Sequence, residues 1–272
     1  MTSVSDAVRE VRNLLRAAES TLVLTGAGVS AEAGVPTFRG PDGLWKNHRP
    51  EQLATADAFR ADPRLVWEWY GWRRQRVAAC RPNAAHEALA RLTLRDLRSR
   101  IVTQNVDGLH ELALENALDP NGSSRVEAGP AGIETSTGGT HPLELHGSLY
   151  RVRCVACLFR IAHRGPIDST NEASLPRCPQ CGDLLRPDVI WFGESLDELV
   201  LRSAVTAAEG AEVCLVVGTS AVVHPAASLP LLTRQAGGII VEVNPEATPL
   251  SDVARTSLRG PAAEIIPVLL AT

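Results

Sequence analysis

Four short stretches of this chain are β-branched or apolar at nearly every position: Thr21–Thr25, Ile101–Thr103, Val213–Val217 and Ile239–Val243. A strand with one wet face alternates polar and apolar residues, whereas a strand covered on both faces does not. These runs therefore predict a parallel sheet buried on both sides. Between them apolar positions recur at helical spacing, over Asn83–Leu94, Leu196–Glu209 and Ala226–Gln235. Met1–Glu19 reads the same way, an amphipathic helix with Asp6, Glu10 and Glu19 among its apolar positions. Strands alternating with helices predict an α/β chain with a Rossmann-type, doubly wound parallel sheet.

Two segments interrupt the alternation, so a second, smaller domain is expected. Residues 47–80 form a helical module rich in tryptophan (Trp67, Trp69, Trp72), and residues 148–186 carry four cysteines with little apolar content. The large domain is then expected from 1–46, 81–147 and 187–272. A third segment, Asp119–Thr140, is rich in Gly, Ser, Thr and Pro with no aromatic residue, and reads as a loop inserted at the surface.

The cysteines add chemistry. Cys154-x-x-Cys157 and Cys178-x-x-Cys181 stand twenty residues apart, the spacing of two zinc knuckles. Four thiolates close a tetrahedral shell and leave no place for water, so the expected zinc is structural and metal-dependent hydrolysis is disfavoured. Cys80 and Cys214 have no close partner in sequence. In a chain of 272 residues without an export signal, reduced thiols fit the cytoplasm. A net charge of −4 offers no polycationic surface for nucleic acid, and no stretch approaches a membrane span.

Gly26–Ala31 follows the first strand and matches the GxGxxA pattern of dinucleotide sites, in which glycines let the backbone approach a pyrophosphate. The acidic residue expected about twenty positions later is absent, and such turns also serve only to pack a helix on a sheet. The continuation is more specific: Gly34–Gly40, then Gln104-Asn105-Val106-Asp107, then His146-Gly147, the knuckles, Trp191-Phe192-Gly193-Glu194, Gly218-Thr219-Ser220 and Asn244-Pro245. In this order they resemble the sirtuins, NAD-dependent protein-lysine deacylases, from about Leu22 to Leu269.

That resemblance implies His146 as general base, with Asn105 and Asp107 also catalytic. It implies NAD contacts from Gly26, Ala27, Gly28, Phe38, Arg39, Gln104, Asn105, Asp107, Gly218, Thr219, Ser220, Asn244 and Ala262, with Asp107 holding the nicotinamide carboxamide. Gly193, Glu194 and Val223 fall where sirtuins pair an extended peptide. The partners implied are acyl-lysine proteins or peptides, with a monomer favoured. Taken alone, a histidine before glycine is a turn residue, His86 is structural, and His110 starts a helix. Mono-ADP-ribosylation of protein, a silent NAD-binding module and a dehydrogenase are the competing readings.

Tyr70 and Arg73, three apart in the helical insert, share a helix face. A guanidinium and a phenol in one apolar pocket would match a malonyl or succinyl carboxylate. Tyr-x-x-Arg also resembles the class III sirtuins, whose preference is for acidic acyl-lysines. The alternative puts Arg73 in a solvated basic stripe with Arg74 and Arg76, while Tyr70 packs with the tryptophans.

Overall fold

The four apolar runs lie side by side as the centre of one sheet. A computed structural model describes residues 4–36, 52–120 and 140–271. The chain begins with helix α1 (Val4–Ala17), strand β1 (Thr21–Thr25) and the short helix α2 (Ala27–Ala31). Helices α3 (Ala56–Ala61), α4 (Pro63–Ala78) and α5 (Ala84–Arg95) follow, then β2 (Arg100–Thr103) and α6 (Leu109–Leu118). Next come β3 (Leu143–Glu144), β4 (Gly147–Cys154), β5 (Arg160–Ala162) and β6 (Leu185–Val189). The chain closes with α7 (Glu198–Glu209), β7 (Val213–Val217), α8 (Leu229–Gln235), β8 (Ile239–Val243), β9 (Thr256–Leu258) and α9 (Ala262–Leu270).

Strands β3-β2-β1-β7-β8-β9 form a six-stranded sheet, parallel at every pairing. Successive side chains point to opposite faces. Leu22 and Leu24 pack with Val216, Ile240, Ala204 and Leu229 on one face, under α7 and α8. Val23 packs with Leu215, Val241, Val11, Leu89 and Ile266 on the other, under α1, α5 and α9. All residues of β1 and β7 are buried, which is why these strands read as unbroken apolar runs.

Two helix starts differ from the expected ones for local reasons. Asp197 accepts from the N–H groups of Leu199 and Val200, so α7 begins after this cap instead of at Leu196. Pro230 has no N–H to donate back to Ala226, so Ala226–Ser228 is a 3₁₀ turn and the α-helix starts at Leu229.

A second sheet, antiparallel in the order β5-β4-β6, packs with α3 and α4. Its core joins Phe59, Trp67, Trp69 and Tyr70 to Leu149, Val152, Val189 and two of the cysteines, Cys154 and Cys178. Trp67 Nε1 donates to the Leu185 carbonyl at 3.0 Å and fastens the helical insert to this sheet. Truncating such a ring to alanine costs about 3–5 kcal/mol. Among the described residues no helix is long and apolar enough to cross a membrane.

Candidate active site

Every strand that carries a candidate residue delivers it at its C-terminal end. Loops after β1, β2, β3, β7 and β8 present Ala27, Gln104, His146, Thr219 and Asn244. In an open parallel sheet the binding crevice forms there, where the strand order reverses, which here is between β1 and β7.

The glycine-rich loop contributes by contact with another loop. Gly26 N–H donates to Val217 O at 3.1 Å and Gly28 N–H to Gly218 O at 2.8 Å. A Cβ at Gly26 would stand 2.7 Å from Thr219 Cβ, and one at Gly28 would stand 2.8 Å from Gly218 Cα. These glycines dock the β1 and β7 loops together. The N–H groups of Gly26 and Gly28 are thereby occupied by the β7 strand and its loop.

Gln104 bridges the crevice, its Nε2 donating to Thr219 Oγ1 at 2.9 Å. Its carbonyl lies 3.0 Å from His146 Nδ1. A carbonyl only accepts, so Nδ1 carries the proton and Nε2 presents a lone pair. Burial holds this half-buried imidazole below its usual pKa, partly offset by the Gln104 bond, so it is neutral at pH 7. Gly147 follows because β4 runs so close to β6 that any Cβ would overlap the Asp188 carbonyl, with φ at +79°.

Asn105 Nδ2 donates to Ser30 Oγ at 3.1 Å, and Ser30 Oγ lies 3.2 Å from His86 Nε2. Thr25 Oγ1 meets Thr103 Oγ1 at 2.8 Å and His110 Nε2 at 3.0 Å. Burial drops His86 to about 4 and His110 well below the ordinary imidazole value. Both are core histidines, as expected for His86. His110 lies in the first turn of α6, as expected, buried and bonded inward to Thr25. Asp107 is also buried. Burial raises its carboxyl pKa, against the Leu109 N–H, Ser30 and Arg73.

Asn105, Val106 and Asp107 share a cavity with Ala27, Val35, Pro36 and Arg73. Arg73 is only 6% exposed and Arg74 7%, which overturns the solvated-stripe alternative. Arg74 donates to the His163 and Gly165 carbonyls, the latter at 2.9 Å. The Arg73 guanidinium stacks 4.7 Å over Trp69 and 5.4 Å over Tyr70, so the i, i+3 pair is in contact, with Arg73 lining the cavity and Tyr70 packed on Trp69 as the alternative expected. Tyr70 lies behind Arg73, its hydroxyl accepting from Trp191 Nε1 at 2.9 Å.

Gly193 and Val223 are exposed, neither within a strand. Val223 O already accepts from Ala227 N–H at 2.9 Å. The Glu194 carboxylate is turned inward, gripped by Arg186 and by Arg153 at 3.1 Å. Glu194 therefore meets a peptide, if at all, through its backbone. Ser220 is exposed, and Asn244 Nδ2 donates to Glu246 O at 2.8 Å. Ala262 opens α9 with its side chain in the core. Phe38, Arg39 and 121–139 of the Asp119–Thr140 segment lie outside the described residues.

The four cysteine Sγ atoms lie within 4.8 Å of one another, with pairs at 3.4, 3.6 and 3.7 Å. A tetrahedral zinc with sulfur at about 2.3 Å sets these edges at about 3.8 Å. Ala156 N–H donates to Cys154 Sγ and Gln180 N–H to Cys178 Sγ, at 3.3 and 3.4 Å. Both knuckles thus aim a backbone donor at a thiolate, and the site fits a structural zinc.

A family model described as the Sir2 family matches residues 26–122 and 131–225. The chain belongs to the Sir2 family. It is 44% identical over 263 residues to an NAD-dependent protein deacylase of Pyrococcus furiosus, covering 96% of both chains. It is 47% identical over 251 residues to NAD-dependent protein deacylase 1 of Archaeoglobus fulgidus, covering 92% and 91%. A solved Sir2 homolog–NAD complex superposes with a TM-score of 0.82 at 44% identity, covering 96% of this chain and 92% of the other. A Sir2 complex with deacetylated p53 peptide and 3'-O-acetyl ADP ribose gives 0.79 at 30%, covering 97% of each.

Within this Sir2 site, four residues escape a reading by motif: Ser30, His86, Trp191 and Arg186. Ser30 and Trp191 lie inside the quoted motifs, yet their contacts are to residues far away in sequence. Arg186 signals itself only as one of two charges, with Asp188, in β6, a strand buried along its whole length.

Proposed function

We propose that this Sir2-family chain is an NAD-dependent protein-lysine deacylase that prefers succinyl- and malonyl-lysine to acetyl-lysine, releasing nicotinamide and O-acyl-ADP-ribose. The reaction rests on one observation. The His146 imidazole, pinned at Nδ1 by the Gln104 carbonyl, offers Nε2 as a base from the loop next to Asn105 and Asp107. NAD as co-substrate supplies an electrophilic ribose carbon once nicotinamide departs. Asn105 and Asp107 would hold the nicotinamide carboxamide, whose amide can both donate to and accept from them. His146 would take the ribose hydroxyl proton, a task suited to an imidazole that is neutral at pH 7. The cysteine-bound zinc would keep the second sheet folded.

The acyl preference rests on Arg73. Burial lowers its pKa, the direction of a cation that has lost more solvation than it has regained. An acyl carboxylate supplies two acceptors for that guanidinium, and an acetyl methyl supplies none. The test compares kcat/KM for succinyl-, malonyl- and acetyl-lysine peptides while nicotinamide release is measured. Succinyl or malonyl should exceed acetyl, and Arg73→Met should lower the succinyl-to-acetyl ratio at least ~10-fold. Equal losses on both peptides would leave a plain deacetylase. Nicotinamide release with ADP-ribose left on protein would mean mono-ADP-ribosylation instead.

A further inference from the structure

A tyrosine hydroxyl has one donor proton and acceptor lone pairs on its oxygen. Trp191 Nε1 can only donate, so in the 2.9 Å bond between them the Tyr70 oxygen accepts. It also bonds the Arg73 guanidinium, a group that donates and never accepts, while Arg186 and Glu194 act on it through their charges. Among the described residues no acceptor is hydrogen-bonded to the phenol proton. Tyr70 and Trp191 are each 2% exposed, so bulk water does not serve as the acceptor.

The indole is itself held. The Arg186 guanidinium stacks 3.2 Å from the Trp191 ring centroid, and Arg186 is paired with Glu194. Glu194 also accepts from the Trp191 backbone N–H at 2.8 Å. A group that accepts from Tyr70 and Arg73 together is an anion with two oxygens, such as the carboxylate ending a succinyl or malonyl chain. We propose that Trp191 is a specificity-determining positioning residue. Its donor occupies the Tyr70 oxygen and keeps the phenol proton for the acyl carboxylate at Arg73. This rests on the acidic-acyl reading above.

Trp191→Phe keeps an aromatic ring under Arg186 and removes the N–H together with the second ring, whose packing loss should weigh equally on both peptides. It should lower the succinyl-to-acetyl ratio of kcat/KM by roughly 5- to 20-fold, and Tyr70→Phe should do the same. In the Tyr70→Phe background, Trp191→Phe should add little to the loss of ratio, because both act through one bond. Trp191→His, which can restore a ring N–H, should recover part of the ratio. Equal losses on both peptides, or a Trp191 effect undiminished in the double variant, would overturn the role of Trp191 while the wild-type preference stood. A wild type that prefers acetyl peptide would sink the acidic-acyl reading, and this inference with it.

Discussion

The two sides of the cavity solve burial in opposite ways. On the cofactor side the buried polar groups are amides, hydroxyls and neutral imidazoles: Gln104, Asn105, Ser30, Thr25, His86 and His110. Even Asp107 has its carboxyl pushed toward the neutral form by burial. On the side proposed above for the acyl group, the buried and part-buried groups are ions. Arg73 and Arg186 stay cationic beside Trp69 and Trp191, and Glu194 is held below the usual carboxylate range, against burial, by Arg186 and the Trp191 N–H. Neutral donors suit a site where charge is made and lost during reaction, since they need not reorganise. Fixed cations suit recognition of a permanent anion.

The largest effect that separates the sides comes from the metal. Two of the four cysteines belong to the core beneath the acyl side, together with Trp67 and Tyr70. Chelation, or Cys178→Ser, should abolish activity on every acyl peptide and collapse tryptophan fluorescence, while the parallel sheet keeps its far-UV signal. A Cys178→Ser protein that retained about one zinc per chain and full activity would break the comparison.

Next comes the base. His146→Ala should lower kcat by about 10²- to 10⁴-fold on succinyl and acetyl peptides alike, because the ribose proton is common to both. In the wild type, kcat/KM should fall as pH drops through a value below the ordinary imidazole 6.5, since protonation removes the base. An acid limb above 6.5, or a loss confined to one acyl group, would move His146 out of this role.

Legibility in the sequence depends on distance along the chain. Gln104, Asn105 and Asp107 sit within four positions, so they read as one motif, and the sirtuin resemblance gives it a role that turn chemistry alone would not. Tyr70 and Arg73 are legible for the same reason, one helical turn apart. Trp191 and Tyr70 are 121 positions apart, and no periodicity joins them. The glycines of the first loop illustrate a different limit. Their spacing announces a close approach, and only the β7 loop identifies what approaches.

A smaller effect tests the neutral side directly. His86 is held near 4 by burial, against an ordinary value of 6.5. Its folded pKa is depressed, so the unfolded chain binds the extra proton between these values. Stability is therefore fully present above 6.5 and lost as pH falls toward 4. His86 alone should account for about 2 kcal/mol of loss between pH 8 and pH 5 by urea denaturation, and the depressed His110 adds to it. His86→Gln should flatten that dependence, whereas Arg73→Met, on the charged side, should leave its slope intact. Identical slopes in wild type and His86→Gln would assign the acid sensitivity elsewhere.

The smallest effect belongs to the exception on the cofactor side. Glu242 lies in β8, fully buried, and stays ionised because it accepts from Thr248, Ser251, Ser257 and Arg259. Burial opposes ionisation there, and these four bonds hold the carboxyl below its usual range. They tie the loop after β8 to the strand, and Arg259 also donates to Glu246 O at 2.8 Å, the carbonyl that Asn244 Nδ2 bonds. Glu242→Gln keeps the shape but turns one acceptor into a donor facing donors. Asn244 would lose its fixed position while His146 and the acyl side stayed as they are. The expected result is a KM for NAD raised roughly 3- to 10-fold, with kcat within about twofold and the succinyl-to-acetyl ratio unchanged. A fall in kcat at constant KM would place the strain at the reacting ribose instead, and a changed acyl ratio would mean that the two sides of the cavity are not independent.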